Sequence, residues 1–154
     1  MSEFTVRQAT MADLNELAAL FNGYRQFYGQ RSDEDGARRF LRDRLVHRQS
    51  ILFAARERVS GQLVGFTQLY PTFSSISMQE SFVLNDLFIE ESCRGQGVSH
   101  LLMQAAEQYA KATEAKGIAL ETANDNARAR HLYEKRGFRL ETTYLSYYWT
   151  TPQK

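Results

Sequence analysis

A change of hydrophobic rhythm around a Gly-x-Gly constrains this chain most. Residues 81–89 read as a long strand that ends Leu84-Asn85-Asp86-Leu87-Phe88-Ile89. A polar turn follows, Glu90-Glu91-Ser92-Cys93, and then Arg94-Gly95-Gln96-Gly97-Val98-Ser99. From there Val98, Leu101, Leu102, Ala105 and Tyr109 recur at helical spacing towards Gly117, and 118–122 reads as a short apolar strand. A strand, a helix and a second strand in this order predict two parallel neighbours joined by a right-handed crossover. Glycines ahead of a helix let backbone N–H groups approach an anion, and the dipole of the helix start favours one. The pattern therefore predicts a pyrophosphate-type ligand near Gly97.

Several nucleotide folds are excluded. No Gly-Lys-Ser/Thr is present, so there is no P-loop, and the third glycine of a dinucleotide fingerprint is missing. Four residues, 90–93, separate the strand from Arg94, whereas a dinucleotide-binding turn is tighter. Lys plus Arg is 19 against 18 for Asp plus Glu, a balance that argues against nucleic acid or an anionic membrane as partner. No apolar run exceeds the five residues 51–55, and the first residues carry neither a basic start nor an apolar signal region. With the single Cys93, these features predict a cytoplasmic protein without a disulfide. Three scattered histidines and one cysteine predict no metal site.

The 154 residues suit one domain, 1–154, with one core. A first strand is expected at 4–7, and Thr10-Met11-Ala12-Asp13 resembles a capping box before a helix carrying Leu14, Leu17, Ala18 and Phe21. An aromatic loop is expected at 23–31, and Ser32-Asp33-Glu34-Asp35 opens a second helix. Strands at 51–56 and 63–70 form a hairpin, and 71–78 reads as a Ser-rich loop exposing Phe73, Ile76 and Met78. Asn124-Asp125-Asn126 caps a last helix, 127–136, which stops at Gly137. Closing strands are expected at 138–140 and 144–149. The sum is a mixed α/β (α+β) fold: a central, mostly antiparallel twisted sheet with one βαβ unit and about four flanking helices.

These residues resemble the GNAT superfamily of acetyl-CoA-dependent N-acetyltransferases. Its Arg/Gln-x-x-Gly-x-Gly/Ala signature stands as Arg94-Gly95-Gln96-Gly97-Val98-Ser99, with Ser at the last position. A second signature stands as Asn126-Ala127-Arg128-Ala129 followed by Leu132-Tyr133-Glu134-Lys135-Arg136-Gly137-Phe138. The resemblance implies a GNAT-like fold with acetyl-CoA as cosubstrate and no metal. The diphosphate of coenzyme A would lie on Arg94, Gly95, Gln96, Gly97, Val98 and Ser99. The pantetheine would run along the edge formed by Leu87, Phe88 and Ile89, with Asn124, Asn126, Ala129 and Tyr133 completing that site. Leu84-Asn85-Asp86-Leu87-Phe88 resembles the branch holding diamine and small histone-type acetyltransferases, which implies a small cationic amine or a peptide amine as acceptor, and commonly a homodimer.

Acetyl transfer to an amine needs an uncharged nucleophile, a donor for the carbonyl oxygen, a proton for the departing thiolate and two reactants in line. On helical spacing alone Tyr133 reads as an aromatic packing its helix; the resemblance implies the acid that protonates the thiolate. In the diamine branch a glutamate is the base where this chain has Asn85. Asp86, Glu80 or a water chain is left to carry the proton, and Asn85 and Asp86 share a face only if a bulge intervenes. Tyr24, Phe27 and Tyr28 could receive an ammonium on their rings, although Phe27 is expected in the core. The substrate-binding set is Tyr24, Tyr28, Glu80 and Asn85. Arg38, Arg39, Arg42, Arg44 and Arg48 read as a solvated helix face. Cys93 lacks a sequence-evident His partner, which favours direct transfer over an acyl-enzyme. The alternative is an acetyl-CoA sensor without turnover. The 71–78 loop is expected to serve as a substrate lid or a dimer contact, and the aromatic 144–149 segment as a second dimer surface.

Overall fold

The computed structural model describes residues 2–154; Met1, at the head of the segment read above for a targeting signal, lies outside the described residues. The chain groups into two compact units, one running to Glu121 and one from Thr122 to Lys154.

The first unit is a sheet with helices on both faces. Its strands are β1 (Phe4–Gln8), β2 (Ile51–Glu57), β3 (Leu63–Ser74), β4 (Gln79–Ile89) and β5 (Ile118–Ala119), in the order β1-β2-β3-β4-β5. The first three pairings are antiparallel; β4 and β5 are parallel, as the crossover requires. Helices α1 (Leu14–Phe27) and α2 (Glu34–Val46) precede β2, and α3 (Val98–Ala112) connects β4 to β5.

Alternation along the strands explains this layering. Leu52, Ala54 and Phe66 join Leu17, Leu20, Phe21, Ala37 and Leu41 in the core beneath α1 and α2. Phe53 and Phe82 instead meet Tyr109 of α3, with ring centroids 5.8 and 5.5 Å apart. Strands covered on both faces become continuous apolar runs, which is the pattern of 51–55 and 63–66. Each fully buried large side chain of this kind contributes about 1.5–3 kcal/mol. Gly65 is what lets α3 lie close: a Cβ there would stand 3.1 Å from the Phe88 carbonyl and 3.5 Å from Leu102.

Local chemistry sets the helix ends. Thr10 and Asp13 form the expected capping box: the Thr10 hydroxyl accepts from the Ala12 amide at 3.2 Å, and the Asp13 carboxylate from the Thr10 amide at 2.9 Å. Asp33 caps α2 by accepting from Gly36 N–H at 2.9 Å. Three elements differ from the sequence reading. Helix α1 continues through Gly23 to Phe27, because Phe21, Tyr24 and Tyr28 keep one apolar stripe across the glycine. β3 runs through Pro71 to Ser74, so the expected 71–78 loop shrinks to a turn at 75–78, with Met78 at φ 52°. β5 holds only Ile118 and Ala119, pairing with Phe82 and Val83, so β4 from Leu84 onward has no parallel partner among the described residues.

The second unit contains α4 (Ala127–Lys135). Asn126 caps it by accepting from Ala129 N–H at 3.1 Å, and Gly137, at φ 92°, turns the chain so that Phe138 N–H reaches the Tyr133 carbonyl at 3.0 Å. The expected strands 138–140 and 144–149 do not form: no residue described after Ala119 joins a ladder. Strand propensity is expressed only against a partner edge. Here Leu145, Tyr147, Tyr148 and Trp149 are left exposed, the two tyrosines at 92%.

Candidate active site

After β4 the chain makes one 3-10 turn, Glu91–Cys93, and then the glycine loop. Gly95 and Gly97 sit at φ 76° and 85°, a left-handed conformation that costs other residues about 1–2 kcal/mol. A Cβ at either position would meet no atom within 4 Å, so the loop is an open cradle. Gly97 begins α3 without a side-chain cap, leaving the first-turn N–H groups for a ligand. Val98 is buried and anchors the helix start, while 94–97 are exposed. Arg94 folds back instead of reaching over the loop. Its Nε donates to the Ile89 carbonyl at 2.9 Å, and its guanidinium lies 5.1 Å from the Phe27 ring centre and 5.5 Å from that of Phe88. Phe27 is therefore 61% exposed, as the platform under Arg94, where the sequence reading placed it in the core. A cleft of about 1130 Å³ adjoins this loop, lined by α1 residues such as Gly23 and Phe27 and by Phe88, Glu90 and Arg94.

A second constellation sits mid-strand. Gln68 of β3 pairs with Asp86 and Leu69 with Leu84, so Asn85 is the extra residue of a β-bulge. The Thr67 hydroxyl pins the bulge by donating to the Asp86 carbonyl at 2.8 Å. The bulge brings Asn85 and Asp86 together: Asn85 Nδ2 donates to Asp86 Oδ1 at 3.1 Å. Asn85 is exposed, whereas Asp86 is 4% exposed. Gln68 Nε2 donates to Asp86 Oδ2 at 2.6 Å and to the Tyr70 hydroxyl at 3.1 Å, and Ser50 Oγ donates to Gln68 Oε1 at 2.5 Å. Burial, then the adjacent Asp86 carboxylate, raises the Tyr24 phenol above its ordinary pKa. Burial and the charge of Asp86 push Tyr70 up to about 12. Both phenols stay protonated at neutral pH and serve as donors.

None of the ion pairs among the described residues involves Asp86. A buried carboxylate held by two amides and the Tyr24 hydroxyl, with no cation beside it among the described residues, is costly, and it suits an incoming ammonium. Asp13 differs, because Arg56 and Arg7 neutralise it at 2.9 and 3.1 Å.

The structure brings together Tyr24, Asn85 and Asp86 of the sequence-derived set. Tyr28 stacks edge-on to Tyr24 at 5.1 Å and is largely exposed. Glu80 lies near the start of β4, opposite Phe73, and at strand rise is about 20 Å from Asp86. Leu87, Phe88 and Ile89 occupy the stretch of β4 without a parallel partner. In the second unit Asn126 and Ala129 join in the α4 cap, and the Tyr133 ring lies 6.1 Å from that of Phe138; Asn124 gives its carbonyl to Arg130 at 3.3 Å. Sequence reasoning missed Ser50, Gln68 and Tyr70. The available signal was Gln68, an amide within the otherwise mostly apolar stretch 63–69.

The Acetyltransferase (GNAT) family model matches residues 16–138. The chain belongs to the GNAT acetyltransferase family. It is 44% identical over 149 residues to an uncharacterized N-acetyltransferase, YhfO, of Bacillus subtilis strain 168, covering 97% of this chain and 99% of that one. A crystal structure of a probable acetyltransferase superposes with a TM-score of 0.92 at 37% identity, covering 97% and 99% of the two chains. A streptothricin acetyltransferase of Escherichia coli is 35% identical over 95 residues, 62% of this chain and 52% of that one. This GNAT chain is thus an acyltransferase, from a family that uses acetyl-CoA as cosubstrate. Among the described residues no His/Cys/Asp/Glu group could hold a metal, and no helix is long and apolar enough to cross a membrane.

Proposed function

We propose that the chain transfers the acetyl group of acetyl-CoA directly to a primary amine, and that both units act as one domain, 1–154. The observation that carries this reading is Asp86: buried, bulge-mounted, held by neutral amides and without a cation. The open cradle at Gly95 and Gly97 fits a diphosphate, since any side chain there would enter the space in front of α3. The coenzyme supplies an activated thioester carbonyl when bound. The chain's residues do the rest. Amides at 95–99 and the helix start orient the diphosphate, and the edge of β4 at Leu87, Phe88 and Ile89, which has no parallel partner among the described residues, takes the pantetheine. Asn85 and Asp86 draw in the ammonium, and Asp86 receives its proton, directly or through one water. The amine lone pair then forms the new C–N bond as the C–S bond breaks. A backbone N–H near Leu87 donates to the carbonyl oxygen, and Tyr133, by its motif, gives the thiolate a proton.

Cys93 is half-buried, and its thiol lies 3.8 Å from Ser92 Oγ with no histidine or carboxylate hydrogen-bonded to it among the described residues, which supports transfer without an acyl-enzyme. A free thiol also suits a reducing cytoplasm. The exposed 144–149 aromatics support a homodimer. Thiol release from acetyl-CoA across a panel of primary amines tests the reading, with thermal unfolding in parallel. Turnover with at least one amine is expected. A coenzyme that stabilises the fold with no amine acetylated would leave a sensor and refute the enzyme reading.

A further inference from the structure

Arg44 departs from Arg38, Arg42 and the exposed Arg39 of α2 in carrying a buried nitrogen. Arg38 pairs with Asp35 at 2.9 Å and Arg42 with Asp43 at 3.4 Å, as a solvated helix face would. Arg44 has no such partner among the described residues; its Nε is buried and unsatisfied. Its guanidinium carbon lies 4.7 Å from the Phe40 ring centre, and Phe40 stacks on Phe21, which stacks on Tyr24. An unpaired guanidinium held over an aromatic ring, with one nitrogen out of water, is a costly arrangement unless an anion joins it.

The backbone places this cation beside the Asp86 network. The Arg44 carbonyl accepts from Gln49 N–H at 2.8 Å. The next residue, Ser50, donates to Gln68, which bonds both Asp86 and the Tyr70 hydroxyl. The charge of Arg44 is felt at Tyr70, where it opposes that of Asp86. The site therefore has a negative group at Asp86 and a positive one at Arg44, both acting on the Tyr70 hydroxyl.

Building on the amine-acetylating reading, we propose that the acceptor carries an anionic oxygen group, carboxylate or phosphate, on the same molecule as its amine, and that Arg44 binds it. The ammonium goes to Asn85 and Asp86; the anion meets the Arg44 guanidinium, with Tyr70 as an additional donor. A plain polyamine satisfies only one end.

The test pairs amines that differ in the anion alone. Glycine, β-alanine, 4-aminobutanoate and 6-aminohexanoate are compared with alkylamines of equal length, and O-phosphoethanolamine with ethanolamine, by thiol release. The best anionic amine should exceed its uncharged partner about tenfold or more in kcat/KM, mainly through KM, and chain length reports the spacing of the two ends. A larger ratio for the phosphate pair than for any carboxylate pair identifies the anion. Arg44→Gln should bring the ratio close to one, and Arg44→Lys should restore part of it. Equal or better turnover of the uncharged amines by the wild type overturns the inference and leaves acetyl transfer standing. Thermal unfolding of the wild type with the same pairs in the presence of coenzyme A reads binding without turnover. There the anionic member alone should raise the midpoint, and equal shifts overturn the inference even if no amine is acetylated.

Discussion

Gly97→Ala separates the cost of a conformation from the loss of a ligand. Gly97 is at φ 85° and ψ 6°, and an added Cβ would touch no atom within 4 Å. The folded chain therefore pays only the left-handed penalty of about 1–2 kcal/mol. For a chain of this size that lowers the melting midpoint by roughly 2–8 °C. The new methyl stands in front of the uncapped start of α3, where the diphosphate has to meet backbone N–H groups. Coenzyme A affinity should fall at least about tenfold, equivalent to about 1.4 kcal/mol. Gly61→Ala is the control: φ is 73°, the space is equally open, and the residue lies in the β2–β3 turn. It should show a similar midpoint change with unaltered affinity. Calorimetric unfolding of the free protein and titration with coenzyme A give the two numbers for each variant. If Gly97→Ala binds coenzyme A as the wild type does, the diphosphate does not sit on this loop and the reasoning fails.

Three further outcomes are expected. Asp86→Asn and Tyr133→Phe should each cut kcat by about a hundredfold or more, with coenzyme A affinity changed far less; wild-type kcat in either variant removes that residue's role. Asp13 is pushed upward by burial, but the Thr10 amide, Arg56 and Arg7 outweigh this and hold it below the usual carboxylate range, and the Arg56 hydrogen bond lowers Glu16. Both depressed groups stabilise the fold above their ordinary values and lose that contribution as pH falls through the folded ones. Arg56→Met should thus cost about 3 kcal/mol at neutral pH, with the gap to wild type narrowing towards pH 3, in melting curves; a constant gap refutes the coupling. Finally, the wild type should sediment as a dimer at micromolar concentration, and Tyr147→Ser with Trp149→Ser should shift it towards monomer; a monomeric wild type refutes the aromatic interface.

What was legible in the chain is what local chemistry decides. The βαβ unit showed itself through its change of period, the caps at Thr10, Asp33 and Asn126 rest on side chains a few residues from the groups they satisfy, and Gly137 needs only its own left-handed backbone. The cradle needed only two glycines in the right place. The bulge was not legible: Asn85 is extra only when counted against Gln68 and Leu69, seventeen and sixteen positions upstream. Gln68, Tyr70 and Ser50 entered the site through that long-range pairing, and Arg44 stood out only through the burial of its Nε without a partner among the described residues. Helix α1 passed through Gly23 because tertiary packing of Tyr24 outweighed a weak local preference. The segment 144–149 failed in the opposite sense: its composition favours a strand, but no edge receives it.

The bulge also sets how β4 tolerates insertions and deletions. Straightening the bulge with Asn85 retained, so that Asn85 rather than Asp86 stood opposite Gln68, would rotate everything downstream by half a turn. Asp86 and Phe88 would then face α3 and Leu87 the aromatic side beneath α1, dismantling the acidic pocket and the seat of Arg94 in one event. Deleting Asn85 outright would instead leave Asp86 opposite Gln68 and Phe88 opposite Phe66, so what the chemistry of this strand requires is that the extra residue stays out of the ladder.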